Sequence, residues 1–278
     1  MPQYNRQIGT LSIHHSFDRN PNPFHFHMHI HTTCEIYIFL KGSAQYAVEG
    51  TRYPLSPGDL LLMRPGESHM VVLLSHDIPY ERMSLNFPPE LIRSLPIFNE
   101  LLAPFFDRPL GVMNRYRLSD FPGNFIRYCL ESIDSLAADP SPPLSLILPN
   151  VLALLSRIVP VFAGRPTPQD SPASEISSRL VQYVNEHLTD ELSLEQISEQ
   201  FFMSQSQISR IFKNATGSSL WHYILIKRLL RARELLMNGT PPAKAATDCG
   251  FRDYSAFYKS YRARFGVSPK EEYRLLTD

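Results

Sequence analysis

The chain has 278 residues, more than one ordinary domain needs, and is 43% hydrophobic and 19% charged. Two folded domains are therefore expected, and a disordered chain is excluded. Cys34, Cys129 and Cys249 are widely separated and odd in number. That excludes a disulfide framework and a cysteine-knuckle metal site, and it fits a reducing, cytoplasmic compartment. Formal net charge is zero, yet residues 1–174 hold 13 basic and 15 acidic side chains, whereas 204–274 hold 13 and 5. Positive charge gathers in one segment, as contacts to a polyanion require, although a solvated helical surface has the same composition.

The opening MPQYNRQIGTLSIHH lacks a basic start followed by an apolar stretch, so no secretory signal is expected. From about 8 to 88 the text reads as short strands, with alternation in FHFHMHIH, then EIYIFL, QYAVEG, GDLLLM and HMVVLL, separated by KGS, EGT and SPGD. This rhythm predicts an antiparallel barrel or sandwich over 1–90. Residues 91–163 change to helical spacing, with helices expected over 120–138 and 148–163. In the second, Leu148, Val151, Leu152, Leu155, Ile158, Val159 and Phe162 form an apolar stripe. It can cover the chain's own barrel or pair with a second subunit, and the sequence leaves both open. The apolar run 144–163 also carries Pro149, Asn150, Arg157 and Pro160, which a bilayer-spanning helix rarely holds, so no membrane segment is expected. GRPTPQDSPAS, residues 164–174, has linker composition, which places a domain boundary there.

Residues 175–278 read as helices with an internal repeat at an offset of 49 residues. FFMSQSQISRIFKNATG (201–217) aligns with GFRDYSAFYKSYRARFG (250–266), pairing Ser204 with Asp253, Ile208 with Phe257, Phe212 with Tyr261 and Gly217 with Gly266. Ser204 and Asp253 suit helix starts, the two glycines suit helix ends, and the apolar pairs face inward. Ser206, Ser209, Arg210 and Lys213 then face outward on the first helix, and Tyr254, Ser255, Tyr258, Lys259 and Arg262 on the second. Each is preceded by a short helix, SLEQISEQF and PPAKAATDCGF, and an uninterrupted helix over 219–238 joins the units. Helix, tight turn and polar, basic helix is the arrangement that enters a DNA major groove. A connecting helix of about 20 residues spans ~30 Å, close to the ~34 Å of one DNA turn.

Gly250-Phe251, FYKSYRARFG, Val267-Ser268-Pro269 with Tyr273-Arg274, and ISRIFKNATG resemble the DNA-binding domain of the AraC/XylS family of transcription regulators. The resemblance covers roughly the last hundred residues, with one departure: three residues, Lys270 to Glu272, separate Pro269 from Tyr273, where the family typically has two. It implies base-facing roles for Ser206, Ser209, Arg210, Tyr254, Ser255, Tyr258 and Lys259, and activation through RNA polymerase.

In the N-terminal part, His25, His27, His29 and His31 share one parity on an extended strand, opposite Phe24, Phe26, Met28 and Ile30, and Glu35 keeps that parity. Two histidines spaced by one residue, then Glu35 and Gly42, resemble the first cupin motif. Gly58, Pro65-Gly66 and His69 resemble the second, with Arg64 and Leu73 departing from it. The resemblance implies that His29, His31, Glu35 and His69 are either divalent-metal ligands or the lining of a metal-free effector pocket, and a purely structural role stays open.

The fold expected is therefore α+β in two domains. A cupin-like antiparallel β-barrel with following helices precedes an all-α domain of two helix-turn-helix units joined by a long helix. The function expected is transcription control on double-stranded DNA by a homodimer, modulated by a small polar metabolite such as a sugar, with no cofactor required. The alternative is a metal-dependent cupin oxygenase or isomerase carrying a DNA-binding domain.

Overall fold

The computed structural model describes residues 3–22, 26, 28–166 and 176–277, and the chain divides into two compact units, 1–173 and 174–278. Positions 167–174 of the expected linker lie outside the described residues, as do His25 and His27.

The N-terminal unit carries strands β1 (Tyr4–Ile8), β2 (Leu11–Asp18), β3 (Cys34–Lys41), β4 (Ala44–Val48), β5 (Thr51–Pro54), β6 (Leu60–Met63), β7 (His69–Leu73), β8 (Tyr80–Phe87) and β9 (Arg115–Tyr116). They pair antiparallel in a six-stranded sheet, β1-β2-β8-β3-β6-β9, and a three-stranded sheet, β5-β4-β7. Side chains alternate between faces. Tyr37, Phe39, Leu61, Met63 and Tyr80 of the large sheet meet Ala44, Tyr46, Val48 and Val71 of the small one in the barrel interior. The opposite face of the large sheet, with Leu11, Ile13, Ile36, Ile38, Leu60, Leu62, Leu85 and Phe87, is covered by helices. Gly58 holds φ 90°, and a Cβ there would stand 2.2 Å from Leu118 Cδ1, so this turn requires glycine.

Helices α1 (Glu90–Arg93), α2 (Ala103–Phe106), α3 (Phe125–Ala137) and α4 (Leu144–Ala163) follow, with 3-10 turns at Pro96–Leu102 and Leu118–Asp120. Two expectations are corrected here. The described residues of FHFHMHIH, 26 and 28–31, form no strand: among them only His29 bridges to His69, through reciprocal backbone bonds of 3.0 Å. The two helices span 125–137 and 144–163, not 120–138 and 148–163. Pro122 and Gly123 delay the first, whereas the second starts earlier because Ile147, Val151, Leu154, Leu155 and Ile158 form a continuous stripe buried in the unit's own core. Each such side chain contributes roughly 1.5–3 kcal/mol on burial, enough together to offset the ~3 kcal/mol cost of an interior proline. By length and mean hydropathy, 1.9, α4 is long and apolar enough to cross a bilayer, but this stripe packs on the sheet and α3.

The C-terminal unit consists of α5 (Ile176–Glu186), α6 (Leu194–Phe201), α7 (Gln205–Thr216), α8 (Leu220–Met237), α9 (Pro242–Asp248), α10 (Tyr254–Phe265) and α11 (Pro269–Thr277). Leu180, Val184, Ile197, Ile208, Phe212 and Tyr223 are buried around α6 and α7. Leu229, Ala232, Leu236, Ala245, Ala246, Phe257 and Tyr261 form the core around α9 and α10.

Candidate functional site

The repeat folds as two similar units because each turn is locally encoded. Ser204 Oγ accepts from Gln207 N and Asp253 accepts from Ser255 N and Ala256 N, which caps α7 and α10. Gly217 and Gly266, at φ 73° and 77°, end them in the left-handed conformation that glycine adopts without penalty. Between these caps, Ser206, Ser209, Arg210 and Lys213 are exposed on α7, and Tyr254, Ser255, Lys259 and Arg262 on α10; Tyr258 is half-buried. Lys213 and Arg262 also lie in last turns, where a cation favours the helix dipole with or without DNA.

Two fastenings escape sequence reasoning. Arg228 on α8 donates to Leu188 O at 2.7 Å, Asp190 O at 2.8 Å and Gly250 O at 2.7 Å, so one guanidinium ties the loop before α6 to the turn after α9. Gly250 sits at φ 80°, and a Cβ there would meet Thr189 O at 2.6 Å, which explains a glycine in the signature. Glu272 on α11 accepts from Arg233 at 2.7 Å and from the Tyr261 hydroxyl, anchoring the final helix where the family spacing is exceeded.

In the barrel, His29, His31, Glu35 and His69 converge, each offering one donor atom within 4.8 Å of the others. Glu35 Oε2 lies 3.0 Å from His31 Nε2 and 3.1 Å from His69 Nε2. His69 Nδ1 is 2.8 Å from the Glu67 carbonyl, and the ring stacks on Tyr46. Burial pushes the Glu35 carboxyl up, but the hydrogen bonds from His31 and His69 outweigh it and hold it well below the usual carboxylate range. Burial opposes charging of His69 as well, yet Glu35 and the Glu67 carbonyl raise it above its ordinary value. The turn beneath is rigid: Arg108 donates to both Glu67 oxygens at 2.6 and 2.8 Å, and Gly111 N and Arg64 N donate to the same carboxylate at 3.0 Å. Arg64 Nη1 also donates to Phe106 O and Arg108 O at 3.1 Å, binding this turn to the segment after α2.

Three imidazoles and one carboxylate suit a borderline divalent ion, and the Glu67 carbonyl is the outer partner that fixes the His69 ring with Nε2 inward. The residues present therefore fit a metal.

Register adds residues that sequence reasoning missed. Asn86 stands between Glu35 and Ser12, Ser84 between Tyr37 and His14, and Arg82 between Phe39 and Ser16, so these polar side chains share the inner face with Glu35 and Tyr37. The alternation in LSIHHSFD and ERMSLNF carried this signal. Arg82 Nη1 and Asn86 Oδ1 are shut off from water without a hydrogen-bond partner among the described residues, and Arg82 Nη1 lies 3.6 Å from Asp18 Oδ2. Burial pushes the His14 imidazole down, and Arg82 adds to this, which keeps it neutral.

Residues 12–112 match the model of the AraC-like ligand binding domain, and residues 197–274 match that of a helix-turn-helix domain. The transcriptional activator RhaS of Escherichia fergusonii is 25% identical over 243 residues, covering 85% of this chain and 84% of its own. The transcriptional regulator ExsA of Pseudomonas aeruginosa is 24% identical over 250 residues, 84% of each chain. The thermoregulatory protein LcrF of Yersinia pestis is 25% identical over 247 residues, 85% of this chain and 87% of that one. All three are regulators rather than enzymes. With the sensor half and the DNA-binding half both matched, the chain belongs to the AraC family of transcription regulators, with a ligand-binding domain ahead of a DNA-binding domain.

Proposed function

We propose that this regulator is a cytoplasmic homodimer that activates transcription through RNA polymerase when its barrel binds a small, hydroxylated metabolite of the sugar class. Ser206, Ser209, Arg210, Tyr254, Ser255, Tyr258 and Lys259 read bases, while Lys213 and Arg262 neutralise phosphates. His29, His31, Glu35 and His69 form one end of the effector site, and Asn86, Ser84 and His14 extend it along the inner face. The observation that supports a polyhydroxy ligand is Asn86 Oδ1, a buried acceptor without a hydrogen-bond partner among the described residues, beside Arg82 Nη1, a buried donor that has only an ion pair at 3.6 Å with Asp18. A hydroxyl can serve either, and a buried polar atom without a partner costs about 1–3 kcal/mol.

Genome-wide mapping of bound sites supplies the operator, and anisotropy titrations on it with a panel of sugars and polyols supply the test. Asn86→Leu is expected to abolish the ligand effect and leave ligand-free operator affinity unchanged. A normal ligand response in Asn86→Leu overturns the lumen as the effector site.

A second reading, a divalent transition metal at the same four residues, rests on His69. Both its nitrogens face acceptors, 2.8 and 3.1 Å away, and a neutral ring has only one proton. A charged ring resolves this conflict, and so does an ion at Nε2, which would fix the ends of β3 and β7 relative to each other. Elemental analysis and chelation separate the readings. In the metal-free reading, chelator leaves fold and effector response intact. Stoichiometric metal, with response lost on chelation and restored by one ion, establishes the second.

A further inference from the structure

The outer face of β2 packs on the helical layer, and Leu11 and Ile13 are buried there. His15 continues that face and is only 4% exposed. Its ring has a carboxylate at each nitrogen: Nδ1 lies 2.7 Å from Asp134 Oδ1 on α3, and Nε2 lies 3.0 Å from Glu81 Oε1 on β8. The same Asp134 oxygen accepts the Tyr4 hydroxyl of β1 at 2.6 Å. Three strands and one helix thus meet at a single imidazole. A neutral ring carries one N–H and can serve one carboxylate; only the doubly protonated ring donates to both. Glu81 is nearly as buried as His15, so water does not replace a lost donor.

We propose that His15 is a proton-operated latch: protonated, it fastens α3 to the sheet by bridging Asp134 and Glu81, and on losing its proton it releases one of them and loosens α3. The site is separate from the barrel lumen, because β2 presents His14 to the interior and His15 to the helices.

The charged groups around the latch act on it in stated directions. Burial discourages a charge on His15, but the hydrogen bonds it donates to Asp134 and Glu81 outweigh it and raise the ring above its ordinary 6.5. Burial likewise pushes Asp134 up, and the bonds from His15 and Tyr4 bring it below its usual range. From β1, Arg6 lies 5.7 Å from the Tyr4 ring centre and donates to Asp139 O at 3.0 Å, just beyond α3. From β3, Lys41 is the register partner of Glu81. On α3 the nearest further charge in sequence is the exposed Glu131, and α4 adds Arg157, stacked 4.6 Å from the Phe125 ring. A group whose folded pKa is raised stabilises fully below its unfolded value and loses that contribution as pH rises through the folded one. The latch is therefore closed below about pH 6.5 and opens on alkalinisation.

The test uses the full-length protein: an NMR titration of the His15 ring, and amide hydrogen exchange of residues 125–137 between about pH 5.5 and 8.5. The His15 midpoint should lie above 6.5. After correction for intrinsic exchange, opening of α3 should rise up to about tenfold per pH unit between 6.5 and that midpoint. His15→Gln should flatten the rise. Should that variant fail to fold, Asp134→Asn, which keeps the Tyr4 and His15 contacts without the charge, should reduce it. A wild-type midpoint at or below 6.5 overturns the latch, as does an α3 profile that is the same in wild type and variant.

Discussion

The Glu67–Arg108 pair under the effector site offers a direct measure of how the barrel holds its histidines. Both side chains are 0% exposed, and the carboxylate receives two guanidinium bonds, the backbone N–H groups of Gly111 and Arg64, and the Asn114 amide at 3.1 Å. Glu67→Gln keeps the shape but removes the charge and leaves Arg108 buried without a counter-ion. Breaking a buried pair from one side costs ~3–5 kcal/mol. For a unit of this size each kcal/mol is worth ~2–4 °C, so the melting temperature of the N-terminal unit should fall by about 6–20 °C. The chain's single tryptophan, Trp221, stands half-exposed on α8 and reports on the C-terminal unit alone, while calorimetry and circular dichroism report on both. The calorimetric transition of the barrel should move and the Trp221 transition should not. Burial pushes the Glu67 carboxyl up, and Arg108 outweighs it and brings it below its ordinary value. The pair's contribution is thus present above about pH 4.5 and is lost as pH falls through the lower folded value, so the wild-type and variant melting curves should converge in acid. A loss below ~1 kcal/mol at neutral pH would refute the reasoning, since it would mean that water or a shifted backbone satisfies Arg108.

Arg210→Ala should weaken operator binding by roughly 1–3 kcal/mol without changing the melting temperature, because an outward arginine on α7 is suited to bidentate guanine contact; unaltered affinity in a fixed-salt mobility assay counts against it. Leu155 is 0% exposed in the unit's own core, so Leu155→Glu should unfold the N-terminal unit rather than yield a folded monomer, and ultracentrifugation with circular dichroism distinguishes the two. Gly250→Ala should destabilise the C-terminal unit by more than ~1 kcal/mol, because the new Cβ meets Thr189 O and the Arg228 guanidinium; a denaturant midpoint equal to wild type, followed by Trp221, would show that the turn can shift.

Legibility in the sequence followed the range of the interactions. The two helix-turn-helix units were readable because caps such as Ser204 with Gln207 and ends such as Gly217 are settled within a few residues, and Ile208 and Phe212 repeat at the helical period. The four-residue cluster in the barrel was readable from motif spacing, although His29 and His31 reach it from a bridged loop rather than from the expected strand, and His69 from the start of β7. What lies across strands or between distant segments was not. That Ile147, Val151, Leu154, Leu155 and Ile158 of α4 join the unit's own core depended on the sheet and α3 beneath them. Asn86 joined Glu35 on the inner face only through the register of β3 with β8. Arg108 reaches Glu67 across 41 residues, and Arg228 reaches Leu188 across 40. Local hydrogen bonds and periodicity act within one turn of chain and leave their mark in the letters; a buried charge finds its partner only when packing has excluded water and brought the distant segment within reach.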